Sequence, residues 1–177
     1  MKLFVTRHGQ TEWNAENRVC GVSDIALTAQ GIEQAKELAS RIAESRIDVI
    51  MSSPLIRAVS TAEIISNVIG KTIIQDHRLY EQNYGAFEGV ARHDESFLEA
   101  KKHFSSKLAG GESIFQVVHR VYRLLDELKE KHAKQNVLLV THGGICRVIH
   151  AYFNDQLNDE YHRFHMGNCE VREYNWS

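Results

Sequence analysis

The sequence predicts an α/β domain in three layers, αβα, with a mostly parallel central sheet and helices on both faces. Three observations carry this. Short apolar runs alternate with longer stretches whose apolar residues recur at helical spacing, in the order strand, helix, strand, helix, strand, helices, strand, helix. One run, Val137-Leu138-Leu139-Val140, is apolar at every position, as a strand covered on both faces should be. Three of the runs stop abruptly at polar residues next to glycine or proline: Thr6-Arg7-His8-Gly9, Ser52-Ser53-Pro54 and Thr141-His142-Gly143-Gly144.

In chain order, Leu3-Phe4-Val5 is the first strand, ending at Arg7-His8-Gly9. A polar, irregular stretch follows to Asp24. Thr28 is a plausible N-cap for a helix whose buried stripe is Ile32, Ala35, Leu38, Ala39 and Ile42. Val49-Ile50-Met51 is the second strand. Pro54 fits the first turn of the next helix, with serine as its cap. That helix carries Leu55, Ala58, Val59, Ala62, Ile65 and Ile69 on one face and closes at Gly70. Thr72-Ile73-Ile74 is the third strand. Residues 76–94 form a loop unusually rich in aromatics, and a helix covers roughly 95–104. After Gly110-Gly111-Glu112, Ser113 and Gln116 form a capping box. The long helix behind it turns Ile114, Val117, Val118, Val121, Leu125 and Leu128 to the core. The Val137–Val140 strand precedes a helix starting near Ile145, and the tail holds two weaker strand candidates, 161–166 and 169–175.

The bulk properties narrow the function classes. The 177 residues suit one domain spanning 1–177, with 43% hydrophobic and 25% charged residues. Net charge is −2 with no basic block, so no nucleic-acid partner is expected. No membrane association is expected either, since no apolar stretch approaches the ~20 residues of a span. The first residues are too briefly apolar for a signal peptide. Three cysteines without a CxxC pair read as free thiols, which points to a reducing cytoplasm. These signals do not specify an oligomeric state.

Ligands of open α/β sheets bind beyond the carboxyl ends of the parallel strands. Parallel strands would bring Arg7, His8, Arg57 and His142 to one rim, with helix N-termini adding positive potential. Two arginines and two histidines make a site for a dianion, and phosphate fits the forked geometry of arginine. A neutral imidazole can attack phosphorus, while the cations stabilise developing charge. A carboxylic acid must then protonate the leaving oxygen. Glu81, in the aromatic loop, is the candidate if burial near phosphate favours its protonated form; Glu88 lies in the same loop.

At this point the chain resembles the histidine phosphatase superfamily, in the branch related to phosphoglycerate mutases, over nearly its whole length. Arg7-His8-Gly9 with Thr11 and Asn14 is similar to the opening motif of that family. Gly21-Val22-Ser23-Asp24, Leu27-Thr28 and Gly31 resemble the segment after it. Ser52-Ser53-Pro54-Leu55-Ile56-Arg57-Ala58 with Thr61-Ala62 resembles the second motif. Glu81 with Gly85 and Glu88-Gly89 resembles the acid loop, and His142-Gly143-Gly144 the second-histidine motif. The resemblance implies a phosphoglycerate mutase-like fold. It also implies a phosphorylated nucleophile at His8, a phosphate ligand at Arg57, an acid at Glu81, and neither a metal nor an organic cofactor. Asn14, Cys20, Gly21, Tyr84 and Gly143 are the expected substrate-binding residues. Cys20 stands where the family often has a hydroxyl or amide, which leaves the substrate open.

Rival signals fade. Gly70-Lys71-Thr72 lacks the earlier glycine and the following helix of a P-loop. No cysteine precedes an arginine at the spacing of a cysteine-based phosphatase. His162 and His165 have no third ligand at metal-site spacing. Three classes remain: a hydrolase of small phosphate monoesters, a phosphoglycerate mutase, and a non-catalytic phosphate-binding module. Sugar phosphates, phosphoglycerate, α-ribazole phosphate and a phosphoprotein all stay open as substrates. Retention of His8, Arg57, Glu81 and His142 together disfavours the binding module. Mutases of the family carry a longer basic insertion after the acid loop and typically asparagine where this chain has Gly144. The short segment 90–109, with Arg92, Lys101, Lys102 and Lys107, therefore favours a hydrolase.

Overall fold

The computed structural model describes residues 2–176. Its elements are β1 (Lys2–Arg7), α1 (Glu12–Ala15), α2 (Ala29–Ile42), β2 (Val49–Ser52), α3 (Ile56–Ile69), β3 (Ile73–Gln75), α4 (Glu95–Ala100), α5 (Ile114–Lys131), β4 (Val137–Thr141), α6 (Gly143–Phe153), α7 (Asn158–Arg163) and β5 (Val171–Asn175). The strands form one sheet in the order β3-β2-β4-β1-β5, in which β5 alone is antiparallel to its neighbour. The central strand is β4, apolar from Val137 to Val140 and closed by Thr141, and all five of its residues are buried.

Alternation along the strands divides the core into two layers. Leu3, Val5, Met51, Val137 and Leu139 face α5 and α6, where Val117, Val121, Leu124, Leu125 and Ile149 meet them. Phe4, Ile50, Leu138 and Val140 face α2 and α3, packing on Ala35, Leu38, Ala39, Ala58, Ala62 and Ile65. Small residues on the α2–α3 side let both helices lie close to the sheet.

The sheet ladder continues past the strand ends. His8 N donates to Thr141 O at 2.9 Å, and Ser53 N donates to Val140 O at 3.0 Å. The residues that follow β1, β2 and β4 are therefore held in register with one another. The loop after β1 rests directly on the first turn of α2. A Cβ on Gly9 would overlap the Gly31 carbonyl, and one on Gly31 would overlap that of Gln10.

Several expected boundaries move. Helix α3 begins at Ile56, so Pro54 precedes it, and Ser53 does not cap it because its hydroxyl accepts from Leu55 N and bonds His142 instead. Ile32 is 38% exposed, and Gly31 takes its place on the buried side of α2. Val118 is only half-buried, while Leu124 joins the core. Helix α4 stops at Ala100, and α6 begins at Gly143. The candidate strand over 161–166 is instead the end of helix α7, up to Arg163, followed by irregular chain over 164–166; the first turn of α7 is acidic and its Glu160 carboxylate accepts from Leu157 N at 2.7 Å. The irregular stretch after β1 contains the single turn α1, nucleated by a capping box between Thr11 and Asn14. Among the described residues no helix is long and apolar enough to cross a membrane, and the three cysteines are buried and free.

Leu138 fills the central strand at 0% exposure, so Leu138→Ala should cost about 2–5 kcal/mol in denaturant unfolding. Val68→Ala, at a residue 53% exposed on α3, should stay within about 0.5 kcal/mol. Equal losses at both positions would contradict this layering.

Candidate active site

The ends of β1 and β4 and the start of α3 bring His8, His142 and Arg57 into contact. His8 is buried, with Nδ1 2.7 Å from the Gly9 carbonyl oxygen. A carbonyl only accepts, so Nδ1 carries the proton and Nε2 keeps its lone pair. Nε2 lies 3.2 Å from Arg57 Nε. His142 Nδ1 lies at the same distance from Arg57 Nε, and its Nε2 is 2.8 Å from Ser53 Oγ. The two imidazole centroids are 5.1 Å apart. Arg57 is wholly buried, donating from Nη1 to Ser23 O at 2.7 Å and from Nη2 to Gly21 O at 2.6 Å. Thr61 secures this arrangement, donating to Arg57 O at 2.7 Å and accepting from Gly9 N at 3.1 Å.

Both imidazoles are held well below the usual histidine range. For His8 burial is the main cause, followed by the charges of Arg57 and Arg7. For His142 burial again leads, followed by Arg57 and His8. Both rings are therefore neutral at neutral pH. Arg7 donates from Nη1 to Met166 O at 3.0 Å, while its buried Nε has no partner among the described residues. That open donor borders a cavity lined by Arg7, His8, Asn14, Cys20, Glu81 and Tyr84, among others.

Glu81 reaches the same cavity from the loop after β3. Its Oε2 accepts from Gly144 N and its Oε1 from Gln82 N, both at 2.9 Å. A Cβ on Gly144 would overlap Glu81 Oε1, so the absence of a side chain there makes room for the carboxylate. Glu88 is placed differently. Its oxygens accept from the backbone of Gly21, Val22, Ser23 and Tyr84 and from the Ser23 hydroxyl. It ties the loop over residues 21–23 to the acid loop and does not line the cavity.

Of the expected substrate-binding residues, Asn14, Cys20, Tyr84 and Gly143 line the cavity. Gly21 does not: its carbonyl accepts from Arg57 and its N–H donates to Glu88, so it braces the site from outside the lining. Asn14 Oδ1 accepts from Asn168, which also donates to His8 O at 2.9 Å. Burial pushes the Cys20 thiol and the Tyr84 phenol up, so both stay protonated.

Sequence reasoning missed several participants. Arg120 donates to the carbonyls of Arg78, Tyr80 and Glu81 and pairs with Glu112, whose carboxylate also accepts from Asn83 N. Together they clamp the acid loop from below. The visible signal was a charge inside the apolar stripe of α5, between Val117 and Val121. Arg147 and His165 also line the cavity. Arg147 stands one helical turn after Gly143, a spacing that could have placed it on the same face. Arg92 and Lys101, seen only as components of a short cationic segment, form part of the wall with Phe97. Among the described residues no group of three His, Cys, Asp or Glu side chains is arranged to hold a metal ion.

The neutral, buried histidines have a consequence for stability. The unfolded chain takes up protons on these rings below about pH 6.5, while the folded chain resists them until far lower pH. Their contribution is therefore fully present above that pH and is lost as pH falls. Thermal melts from pH 7 to pH 5 should show falling stability, with the slope reduced in His8→Asn. An unchanged slope in that variant would show that His8 is not held neutral.

The family model for the histidine phosphatase superfamily (branch 1) matches residues 3–177. Phosphoglycerate mutase-like protein 4 of Arabidopsis thaliana is 35% identical over 159 residues, covering 84% of this chain and 69% of that protein. The probable phosphoglycerate mutase GpmB of Escherichia coli is 38% identical over 152 residues, covering 81% and 70%. Among solved structures, a mycobacterial glucosyl-3-phosphoglycerate phosphatase superposes with a TM-score of 0.84 at 27% identity, covering 97% of this chain and 88% of that one. A protein described as mycobacterial hydrolase 1 reaches 0.88, also at 27% identity, covering 97% and 87%. With the family model spanning nearly every residue and the buried histidine–arginine centre in place at the strand ends, the chain belongs to branch 1 of the histidine phosphatase superfamily.

Proposed function

We propose that this protein is a phosphatase that hydrolyses small phosphate monoesters through a phosphohistidine on His8. The observation that carries the proposal is the tautomer of His8. Its Nδ1 proton is committed to the Gly9 carbonyl, which leaves a neutral Nε2 lone pair beside Arg57 in a cavity that also holds Glu81. Nε2 attacks phosphorus and the bond to the ester oxygen breaks. Glu81 supplies the proton that the departing alkoxide takes. Arg7, Arg57 and His142 stabilise the charge that builds on the phosphoryl oxygens. A water, giving its proton to the Glu81 carboxylate, then attacks the phosphohistidine and releases phosphate, restoring His8 and protonated Glu81.

The engagement of Glu88 with backbone N–H groups supports Glu81 as the acid of this loop. The phosphatase among the structural neighbours supports hydrolysis. A second reading, isomerisation of a phosphoglycerate, draws support from relatives named as mutases and from the cationic wall supplied by Arg92 and Lys101. Hydrolysis is favoured because no long basic insertion encloses the acid loop, so water has access to the phosphoenzyme.

His8→Ala should abolish turnover and the acid-labile, alkali-stable phosphoenzyme. Near-normal turnover in this variant would remove His8 as nucleophile. Glu81→Gln should depress hydrolysis of alkyl phosphates by about a hundredfold or more, with a smaller loss on nitrophenyl phosphate, whose leaving group needs little protonation. Equal losses on both esters would assign Glu81 a structural role.

The two readings separate when 3-phosphoglycerate is supplied with catalytic 2,3-bisphosphoglycerate. Phosphate release should outrun formation of 2-phosphoglycerate. Isomerisation far ahead of phosphate release would establish the mutase.

A further inference from the structure

The turn that leads into β5 reaches back to the end of β1 and to the loop behind it. Met166 O accepts from Arg7 Nη1 at 3.0 Å. Asn168 Nδ2 donates to His8 O at 2.9 Å and to Asn14 Oδ1 at 3.1 Å. Cys169 N donates to Arg7 O at 3.0 Å. The turn is tied for this approach: the Glu170 carboxylate accepts from Gly167 N at 2.8 Å, and Glu170 N donates to Gly167 O at 3.1 Å. Cys169 takes a φ of 55°, a left-handed conformation that a residue with a Cβ adopts only at a steric cost. Asn168 stands outside the cavity lining, so it does not itself meet a ligand there.

These bonds fix which end of each carboxamide faces which way. The His8 carbonyl only accepts, so the Asn168 atom beside it is the NH2 group. The Thr11 backbone N–H only donates, so the Asn14 atom 3.2 Å from it is the oxygen. That same oxygen takes the hydrogen bond from Asn168. Asn14 Nδ2 has no partner among the described residues, and Asn14 lines the cavity that holds His8. The side chain therefore presents a donor to an anion entering the cavity. Turned over, the same carboxamide would set its NH2 against Thr11 N and its oxygen against the anion. Both contacts would be repulsive, and Thr11 N and Asn168 together oppose that turn.

We propose that Asn168 is a positioning residue: by donating to His8 O and Asn14 Oδ1 together, it holds the Asn14 NH2 group toward the oxyanion beside His8. Naming that oxyanion a phosphoryl group rests on the phosphatase reading; the orientation of Asn14 does not. The effect of Asn168 on the anion passes through Asn14, which separates it from a merely structural role. Asn168→Asp keeps the shape and removes the donor. A carboxylate there accepts from the Asn14 NH2 group, and this charge-assisted bond outweighs the neutral one from Thr11 N. The carboxamide then turns over and sets its oxygen against the anion. Asn168→Ala removes the same bonds without adding charge and leaves the carboxamide held by Thr11 N alone.

The test is a double-substitution cycle, read by calorimetric titration of inorganic phosphate into the resting protein. Asn14→Ala alone should weaken phosphate binding about tenfold, the scale of one hydrogen bond to a charged group. Asn168→Asp alone should weaken it about tenfold or more, and Asn168→Ala several-fold. In the Asn14→Ala background the further loss from either Asn168 substitution should be about threefold smaller or less than in the parent, because the group it acts through is gone. Undiminished phosphate affinity in Asn168→Asp overturns the proposal, as does absence of phosphate binding by the unaltered protein. Losses of the same size in both backgrounds also overturn it, since added charge or a disturbed turn would act without Asn14. Thermal melts establish that each variant is folded; if Asn168→Asp is not, the Asn168→Ala arm decides by the same criteria. A parallel assay follows turnover of nitrophenyl phosphate. Coupled losses of phosphate affinity, with no turnover by the unaltered protein, would end the phosphatase reading and leave Asn168 in its role. Turnover with uncoupled losses would do the reverse.

Discussion

The rest of this structure depends on a buried guanidinium that has no carboxylate partner among the described residues. Arg57 is wholly enclosed, and its donors go to two imidazoles and two backbone carbonyls. Taking a cation out of water is costly unless its hydrogen bonds are replaced and its charge is answered. The carbonyls of Gly21 and Ser23 supply the first requirement, and to supply it the loop over residues 21–23 must close over α3. Among the described residues no carboxylate pairs with Arg57 to supply the second. The positive potential that adds to burial in keeping both histidines neutral would be available to an entering anion. Preorganisation in this site thus means a charge held ready in a dry place, so that little has to rearrange when an anion enters.

That requirement explains the density of polar ties among the loops. Glu88 gathers four backbone N–H groups and one hydroxyl, joining the loop that caps Arg57 to the loop that carries Glu81. Arg120 and Glu112 hold the acid loop from the α5 side. Thr61 links the Arg57 backbone to Gly9. Each bond alone is worth about 1 kcal/mol, more where a charge takes part, but together they leave the loops few alternative conformations. The loops thereby acquire a rigidity that loops on a sheet edge ordinarily lack.

Much of this was legible in the sequence. The unbroken apolar run of Val137–Val140 marked the centre of the sheet, and the polar residues at the strand ends marked the rim. What was not legible had local causes. The helix over 158–163 contains Tyr161 and is followed by Phe164, both strand-favouring residues, and its first-turn carboxylate decided the conformation where the apolar pattern did not. Gly21 reads as a loop glycine that a ligand could approach, yet the approaching groups are Arg57 and Glu88. Arg120 and Arg147 look like solvated charges on amphipathic helices. Only the tertiary arrangement shows that one meets the underside of the acid loop and the other the cavity wall.

The contact between Gly144 and Glu81 sets a limit on how this chain can diverge. The backbone N–H of residue 144 holds the carboxylate, and the space of a missing methyl group accommodates it. The two positions are therefore not free to vary independently. A side chain at 144 would push against the carboxylate and the Tyr84 hydroxyl, so it becomes tolerable only after the acid loop has shifted. By contrast, Arg92 and Lys101 stand on a short segment whose replacement disturbs no bond of the histidine–arginine centre. Substitutions in the wall can thus come singly, whereas substitutions around Gly144 and Glu81 must come in an order that keeps the carboxylate seated.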